Sequence, residues 1–344
     1  MKTLNKFRGC LVGGAVGDAL GYAVEFMQDS FIRERYGENG ITEYSLGDEG
    51  KAIISDDTQM TLFTAEGLLL CSQDPFVKDT KEGYRKHIWK AYKRWFLTQV
   101  WNDVVANYDE SWLLSLPELY ECRAPGITCL SALSEELNST FENPVNNSKG
   151  CGGVMRVAPV GLFLDEKKHP IEEIDLIGAE ASLLTHGHEL GYIPAAALVH
   201  IVHMAVKHEE LSLIEIVEDS LIMMTKIFPD AEYLQDFLDI MNLALHLAEC
   251  RVDDYEAIKE LGEGWVAEEA LAIAVFCAVK YADDFEKAMI ASVNHSGDSD
   301  STGAITGNIL GAYLGIQEIP EKYLTNLELK DEIVKMADML WENR

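Results

Sequence analysis

Two acidic clusters, Ser55-Asp56-Asp57-Thr58 and Gly297-Asp298-Ser299-Asp300-Ser301-Thr302, lie more than two hundred residues apart in the chain. Together they offer four carboxylates and several hydroxyls. Aspartates this close repel one another when ionised, and burying unpaired charge is costly, so the arrangement needs solvent or neutralising cations. A pair of divalent ions would neutralise it. Mg²⁺, Mn²⁺ and Ca²⁺ take oxygen ligands, whereas zinc and copper sites normally bring in His or Cys, which neither cluster supplies at ligand spacing. The same residues have an ordinary structural role, because Ser-Asp or Asp-Ser-Asp before an apolar run is how helices begin. Ser55 precedes Asp56 and Asp57, then Met60, Phe63, Gly67 and Leu70 at helical spacing, so capping alone would explain the first cluster. Two such clusters, each opening a helix rich in small residues, favour a shared metal site.

The elements that must bring them together are helical. Apolar spacings of three and four run through residues 213 to 227, 231 to 249, 266 to 281 and 327 to 342, for example Leu234, Phe237, Met241 and Leu245, or Ile333, Met336 and Leu340. Pro229-Asp230 and Pro320 fall where helices are expected to start. Alternating strand patterns are scarce, so the fold class is all-α. The 344 residues contain no Pro, Gly or Ser linker and 48% are hydrophobic, which predicts one domain over residues 1–344 with a substantial core. Two irregular stretches, residues 36 to 54 and 101 to 149, the latter with Trp101, Trp112, Pro117, Pro125 and Asn146-Asn147-Ser148, are expected to supply substrate-contacting loops. Glycine recurs every four residues at both ends of the chain: Gly9, Gly13, Gly17 and Gly21, then Gly303, Gly307, Gly311 and Gly315. Helical glycine costs up to about 1 kcal/mol against alanine, so these bare ridges call for close backbone approach. An antiparallel crossing of the two helices would place Asp298 and Asp300 near Asp18 and Glu25.

Composition narrows the function. A formal charge of −30 disfavours nucleic acid and anionic membranes, and suggests that any macromolecular partner is basic. Lys86, His87, Lys90, Lys93 and Arg94 read as the solvated face of a helix whose buried face is Tyr84, Ile88, Ala91 and Trp95. Seven cysteines without a Cys-x-x-Cys pattern, mostly in apolar or helical surroundings such as Cys71, Cys250 and Cys277, look like reduced core residues of a cytoplasmic protein. The longest apolar stretches are broken by Gly, Asp or His before they could span a bilayer. Lys2, Lys6 and Arg8 imitate a signal peptide, but the following run holds five glycines and Asp18, so it reads as the first core helix. Monomer is the expected state. Gly150, Gly152 and Gly153 precede a run of Val154, Met155, Val157 and Val160 that reads as helical, and free N–H groups at its start could hold a phosphate.

Four motifs in order resemble the ADP-ribosylglycohydrolase family, which includes dinitrogenase-reductase-activating glycohydrolases and ADP-ribosylarginine hydrolases. They are Gly17-Asp18-Ala19-Leu20-Gly21 with Glu25 following, Ser55-Asp56-Asp57-Thr58, Gly150-Cys151-Gly152-Gly153-Val154-Met155-Arg156, and Gly297-Asp298-Ser299-Asp300-Ser301-Thr302-Gly303. Thr185-His186 is a shorter fifth match. The resemblance spans nearly the whole chain. It implies a compact helical fold whose two-metal centre, Mg²⁺ or Mn²⁺, serves to cleave the glycosidic bond between ADP-ribose and a modified protein residue. Carried over by position, Ser55, Asp56, Asp57, Asp298, Asp300 and Ser301 are the metal ligands. Glu25 coordinates an ion or gates substrate entry, its plain alternative being a surface carboxylate at a helix end. Gly150, Cys151, Gly152 and Gly153 take the pyrophosphate, with His186 near the same pocket. Arg156 either supports that charge or makes a structural ion pair, and His188 and His203 do no chemistry.

The metals would hold the vicinal ribose hydroxyls and lower the pKa of a water, while a carboxylate among Glu25, Asp56, Asp57 and Asp300 takes its proton. The second cluster is the favoured source of that base. Three functions follow: a hydrolase, closest to the members acting on ADP-ribosylarginine; an immunity protein that occupies a basic partner such as an ADP-ribosyltransferase toxin; or another two-metal enzyme such as a phosphoesterase. An intact ligand set favours turnover over binding alone.

Overall fold

The two glycine ridges meet. In the computed structural model, which describes residues 2–100 and 111–344, the first helix, Lys2–Gly21, lies antiparallel against the late helix, Ser299–Leu314. The pairing follows the four-residue register, with Gly17 on Gly303, Gly13 on Gly307 and Gly9 on Gly311. A Cβ at Gly17, Gly307 or Gly311 would sit 1.9 Å from the facing carbonyl oxygen, so no side chain fits between the backbones. Gly21 faces Ser299 and Asp300 instead, and Gly315, which closes the late helix as its C-cap with φ 93°, lies against Gly9 beside Gly311. Gly307→Ala is therefore expected to destabilise the fold by roughly 3 kcal/mol. Chemical denaturation would check this, and an unchanged midpoint would mean that the helices separate at little cost.

Around this pair the described residues form helices and short 3₁₀ turns, with isolated bridges at Ala52–Leu327 and Gly150–Val266 and no strand. The buried apolar side chains, from Phe7 to Leu340, make one connected core. The predicted helices appear at Leu213–Ile227, Leu234–Glu249, Ala267–Lys280 and Lys330–Asn343. Pro229-Asp230 lies in a turn, not at a helix start; the helix begins at Leu234, where its apolar stripe begins. Pro320 does cap a helix, Glu321–Thr325. Residues 37 to 55 are irregular as expected, while the second irregular stretch holds 3₁₀ turns at Trp112–Ser115 and Pro117–Tyr120 and a helix at Ile127–Ser134. Trp101 lies outside the described residues.

Three surface and core expectations change. The helix Glu189–Lys207 is long and apolar enough to cross a bilayer by composition, contrary to the reading that His and Gly break every such run. Its 18-residue apolar window is 89% buried among neighbouring helices, and His200 and His203 are held by Asp175 and Gly161, so it serves as a core helix. On Lys81–Val100, Lys86 and Lys90 are solvated, but His87 and Arg94 are buried; Arg94 donates to Glu66 at 2.8 Å. All seven cysteines are free, yet Cys122 is exposed and Cys250 only half-buried.

Candidate active site

Asp18 organises the first cluster. It is fully buried on the first helix and accepts from the backbone N–H of Ser55 at 2.9 Å and of Thr58 at 3.0 Å, and from the Thr58 hydroxyl. This fixes the start of the helix Asp56–Gln73 beside the end of Lys2–Gly21. Ser55 is the N-cap, its Oγ accepting from Asp57 N–H at 3.2 Å. Asp298 caps the late helix in the same way, accepting from Ser301 N–H at 3.2 Å. Cap chemistry is thus present at both clusters, and the glycine crossing delivers the two helix N-termini to one place. Helix N-termini favour negative charge, which helps gather carboxylates there.

One oxygen from each of Glu25, Asp298 and Asp300 lies within 4.8 Å of the others. Asp56, Asp57 and Ser301 line the same cavity of about 510 Å³. Gly150, Cys151, Gly152 and His186 line it as well, so most of the residues singled out in the sequence share one site. Ser55 and Gly153 are not among its lining residues: Ser55 is buried next to Asp56 with its Oγ accepting from Asp57 N–H, and Gly153 lies against Ser182 and His186.

The donor set suits divalent cations. Glu25 Oε2, Asp57 Oδ2 and Asp300 Oδ1 are buried without a hydrogen-bond partner, and among the described residues no Lys or Arg lines the cavity. Arg123, beside the first cluster, is paired with Glu328. Burial, followed by the charges of Asp298, Asp56 and Asp18, pushes the Glu25 carboxyl up to about 9. Burial pushes Asp56 up to about 8, and raises Asp57 and Asp300 well above the usual carboxylate range with help from their acidic neighbours. Unpaired buried carboxylates of this kind are stabilised either by protons or by hard cations taking oxygen ligands.

The glycine segment differs from its expected form. Cys151–Gly153 is a 3₁₀ turn, and the α-helix starts only at Ala158, where Pro159 fits the first turn. The glycines make room instead: a Cβ at Gly150 would lie 3.3 Å from His186 Nε2, and one at Gly152 3.1 Å from both His186 Cε1 and Cys129 Sγ. Cys151 supplies a thiol that donates to Asp298 Oδ2 at 2.7 Å, a soft group beside an otherwise hard site. Arg156 is fully buried and does not line the cavity, and its bonds go to Thr185, a backbone carbonyl and two sulfur atoms, so neither the phosphate role nor a carboxylate ion pair is what the fold gives it. His188 caps the helix Glu189–Lys207, and His203 bonds Gly161 and Glu166, both structural positions.

Asp18 belongs to the first motif, but its role in holding Ser55 and Thr58 shows only in the fold. Two contributors lie outside the motifs: Phe26 and Trp265, stacked at 5.3 Å between ring centroids on the cavity wall, with Phe26 in the left-handed region at φ 64°. Phe26 directly follows Glu25, but nothing in the sequence pairs it with Trp265.

The profile of the ADP-ribosylglycohydrolase family matches residues 1–344. The ADP-ribosylhydrolase ARH3 of Bos taurus is 24% identical over 368 residues, covering 98% of this chain and 93% of its own. The ADP-ribosylarginine hydrolase Tri1 of Serratia proteamaculans is 23% identical over 351 residues, covering 99% of this chain and 80% of its own. A solved structure described as an ADP-ribosylglycohydrolase-related protein complex shares the fold with a TM-score of 0.66 at 23% identity, over 99% of this chain and 98% of that one. With four motifs converging on one cavity and a family match over its full length, this chain belongs to the ADP-ribosylglycohydrolases, hydrolases of glycosidic bonds to ADP-ribose.

Proposed function

We propose that this hydrolase removes ADP-ribose from modified arginine side chains and works with two divalent cations, Mg²⁺ or Mn²⁺. Ser55, Asp56, Asp57, Asp298, Asp300 and Ser301 would hold them, with Glu25 alongside. The observation that carries the reading is the set of buried, unpartnered carboxylate oxygens on Glu25, Asp57 and Asp300 beside a glycine-lined wall. Bound there, such cations supply Lewis acidity, acidify water and anchor vicinal hydroxyls.

The chain's own residues do the rest. The Gly150–Gly152 wall and the neutral ring of His186, lowered to about 3 chiefly by burial, face the anionic part of the ligand. Asp300, with Glu25 and Asp57 as alternatives, takes a proton from the attacking water as the bond between ribose and leaving group breaks. Positive charge developing on the sugar ring is stabilised by the same carboxylates. Arginine is favoured by three features: the cavity wall is acidic and, among the described residues, free of Lys and Arg; Phe26 and Trp265 offer ring faces to a guanidinium; and a relative is named for ADP-ribosylarginine.

Incubation with arginine-linked and serine-linked ADP-ribosyl substrates, with Mg²⁺, Mn²⁺ or chelator, tests the reading by the product released. Free ADP-ribose is expected from the arginine linkage only when a cation is present, about tenfold or more faster than from serine. Release of AMP or phosphate would instead identify a phosphoesterase, and undiminished turnover in chelator would remove the cations from the account.

A further inference from the structure

Arg156 is buried at 0% exposure, and its guanidinium carbon stands 4.2 Å over the Tyr92 ring. Its shortest polar contact is Nη2 to Thr185 Oγ1, at 2.6 Å. The same Thr185 oxygen lies 2.8 Å from His186 Nδ1. We infer that Arg156, acting through Thr185, locks His186 in one tautomer, with Nδ1 accepting and Nε2–H turned to the glycine wall of the cavity.

Counting protons fixes the tautomer. Guanidinium only donates, so Thr185 Oγ1 accepts from Arg156 and keeps one hydrogen of its own to give. That hydrogen has His186 Nδ1 at 2.8 Å, the Ser182 carbonyl at 3.4 Å and the weakly accepting Cys129 sulfur within reach, and the closest strong acceptor takes it. The opposite tautomer would direct an N–H at an oxygen already accepting from a cation, next to that cation's charge. With Nδ1 filled, the proton of the neutral ring sits on Nε2, the nitrogen that a Cβ on Gly150 would approach to 3.3 Å. A ring fixed in this state donates to an anionic oxygen and neither takes up nor gives away a proton during turnover. Burial and the guanidinium charge both oppose protonation of the ring, which keeps the donor constant across the working pH range. Arg156 and Thr185 are positioning residues in this scheme, and the anionic group is the pyrophosphate only if the cavity takes ADP-ribose as proposed above.

Nitrogen-15 spectra of the imidazole rings, with the His186 signals identified by their loss in H186Q, read the tautomer without ligand. In the native protein a neutral Nε2–H ring is expected, unchanged from mildly acidic to alkaline pH. Thr185→Val is nearly isosteric and spares the buried arginine, whose own replacement risks the fold. It should mix the tautomers and weaken ADP-ribose binding about tenfold, and T185S should restore both. A native Nδ1–H ring, or a T185V spectrum identical to the native one, overturns the inference. If the native protein failed to bind ADP-ribose, the substrate reading would fall, and the nitrogen spectra would still decide the relay.

Discussion

Asp300→Asn is expected to cost about three orders of magnitude or more in turnover while raising the melting temperature of the metal-free protein. The two effects have one cause. Asp300 is 3% exposed, one of its oxygens has no hydrogen-bond partner, and Asp298, Asp57 and Glu25 crowd it with like charge. As a proposed ligand and base it is indispensable to the reaction; as a buried acid without a cation it opposes folding. Asparagine keeps the shape and removes the repulsion, so stability without metal rises as catalysis disappears. Asp298→Asn should lose turnover similarly, but with less gain in stability, because Asp298 also caps the late helix and a weakened cap costs about 1 kcal/mol. Steady-state rates with Mn²⁺ and thermal melts in chelator measure both sides. Normal rates in both variants would show that the second cluster has no part in the chemistry.

Removing divalent cations is expected to make stability fall as pH rises. The folded protein holds protons on Asp18, Asp56 and Glu25 up to about 6, 8 and 9, whereas the unfolded chain releases them near the ordinary carboxyl values of about 4. A group raised in this way contributes stability that is complete below its unfolded value and is lost as pH climbs through its folded value. For this cluster the loss runs from about pH 4 to 9 and is steepest below about pH 6, where all three groups contribute. Cations replace those protons, so their apparent affinity should climb by up to roughly tenfold per pH unit for each proton displaced, and the stabilisation they give should widen over the same range. Melting curves with Mn²⁺ and with chelator across that range give the gap directly. A gap that stays constant with pH would mean that the carboxylates do not carry the cations.

Much of this architecture is legible in the order of residues because the informative features are periodic or local. The four-residue glycine register determines which helix faces which, and its antiparallel sense alone predicts that Asp300 and Glu25 meet. Caps such as Ser55 and Asp298 follow from the residues just after them. What escapes depends on distant partners. Asp18 reads as a helix-end charge until Ser55 and Thr58 donate to it from across the fold. Val154 to Val160 has a helical pattern, but the Gly150–Gly153 segment winds into a 3₁₀ turn against His186, and the helix waits for Pro159. Arg156 looks like half of an ion pair because arginine seldom lies buried without a carboxylate, and only the packing reveals the Tyr92 ring and Thr185 in that place. Nothing local links Cys151 to the acids, because it lies in a different motif from Asp298.

If carboxylates from two remote segments share bound cations, anomalous diffraction from crystals grown with Mn²⁺ will reveal them. Manganese peaks enclosed by Asp56 and Asp57 on one side and Asp298 and Asp300 on the other are expected; well-ordered carboxylates with no anomalous signal among them would show that the two segments hold no cation.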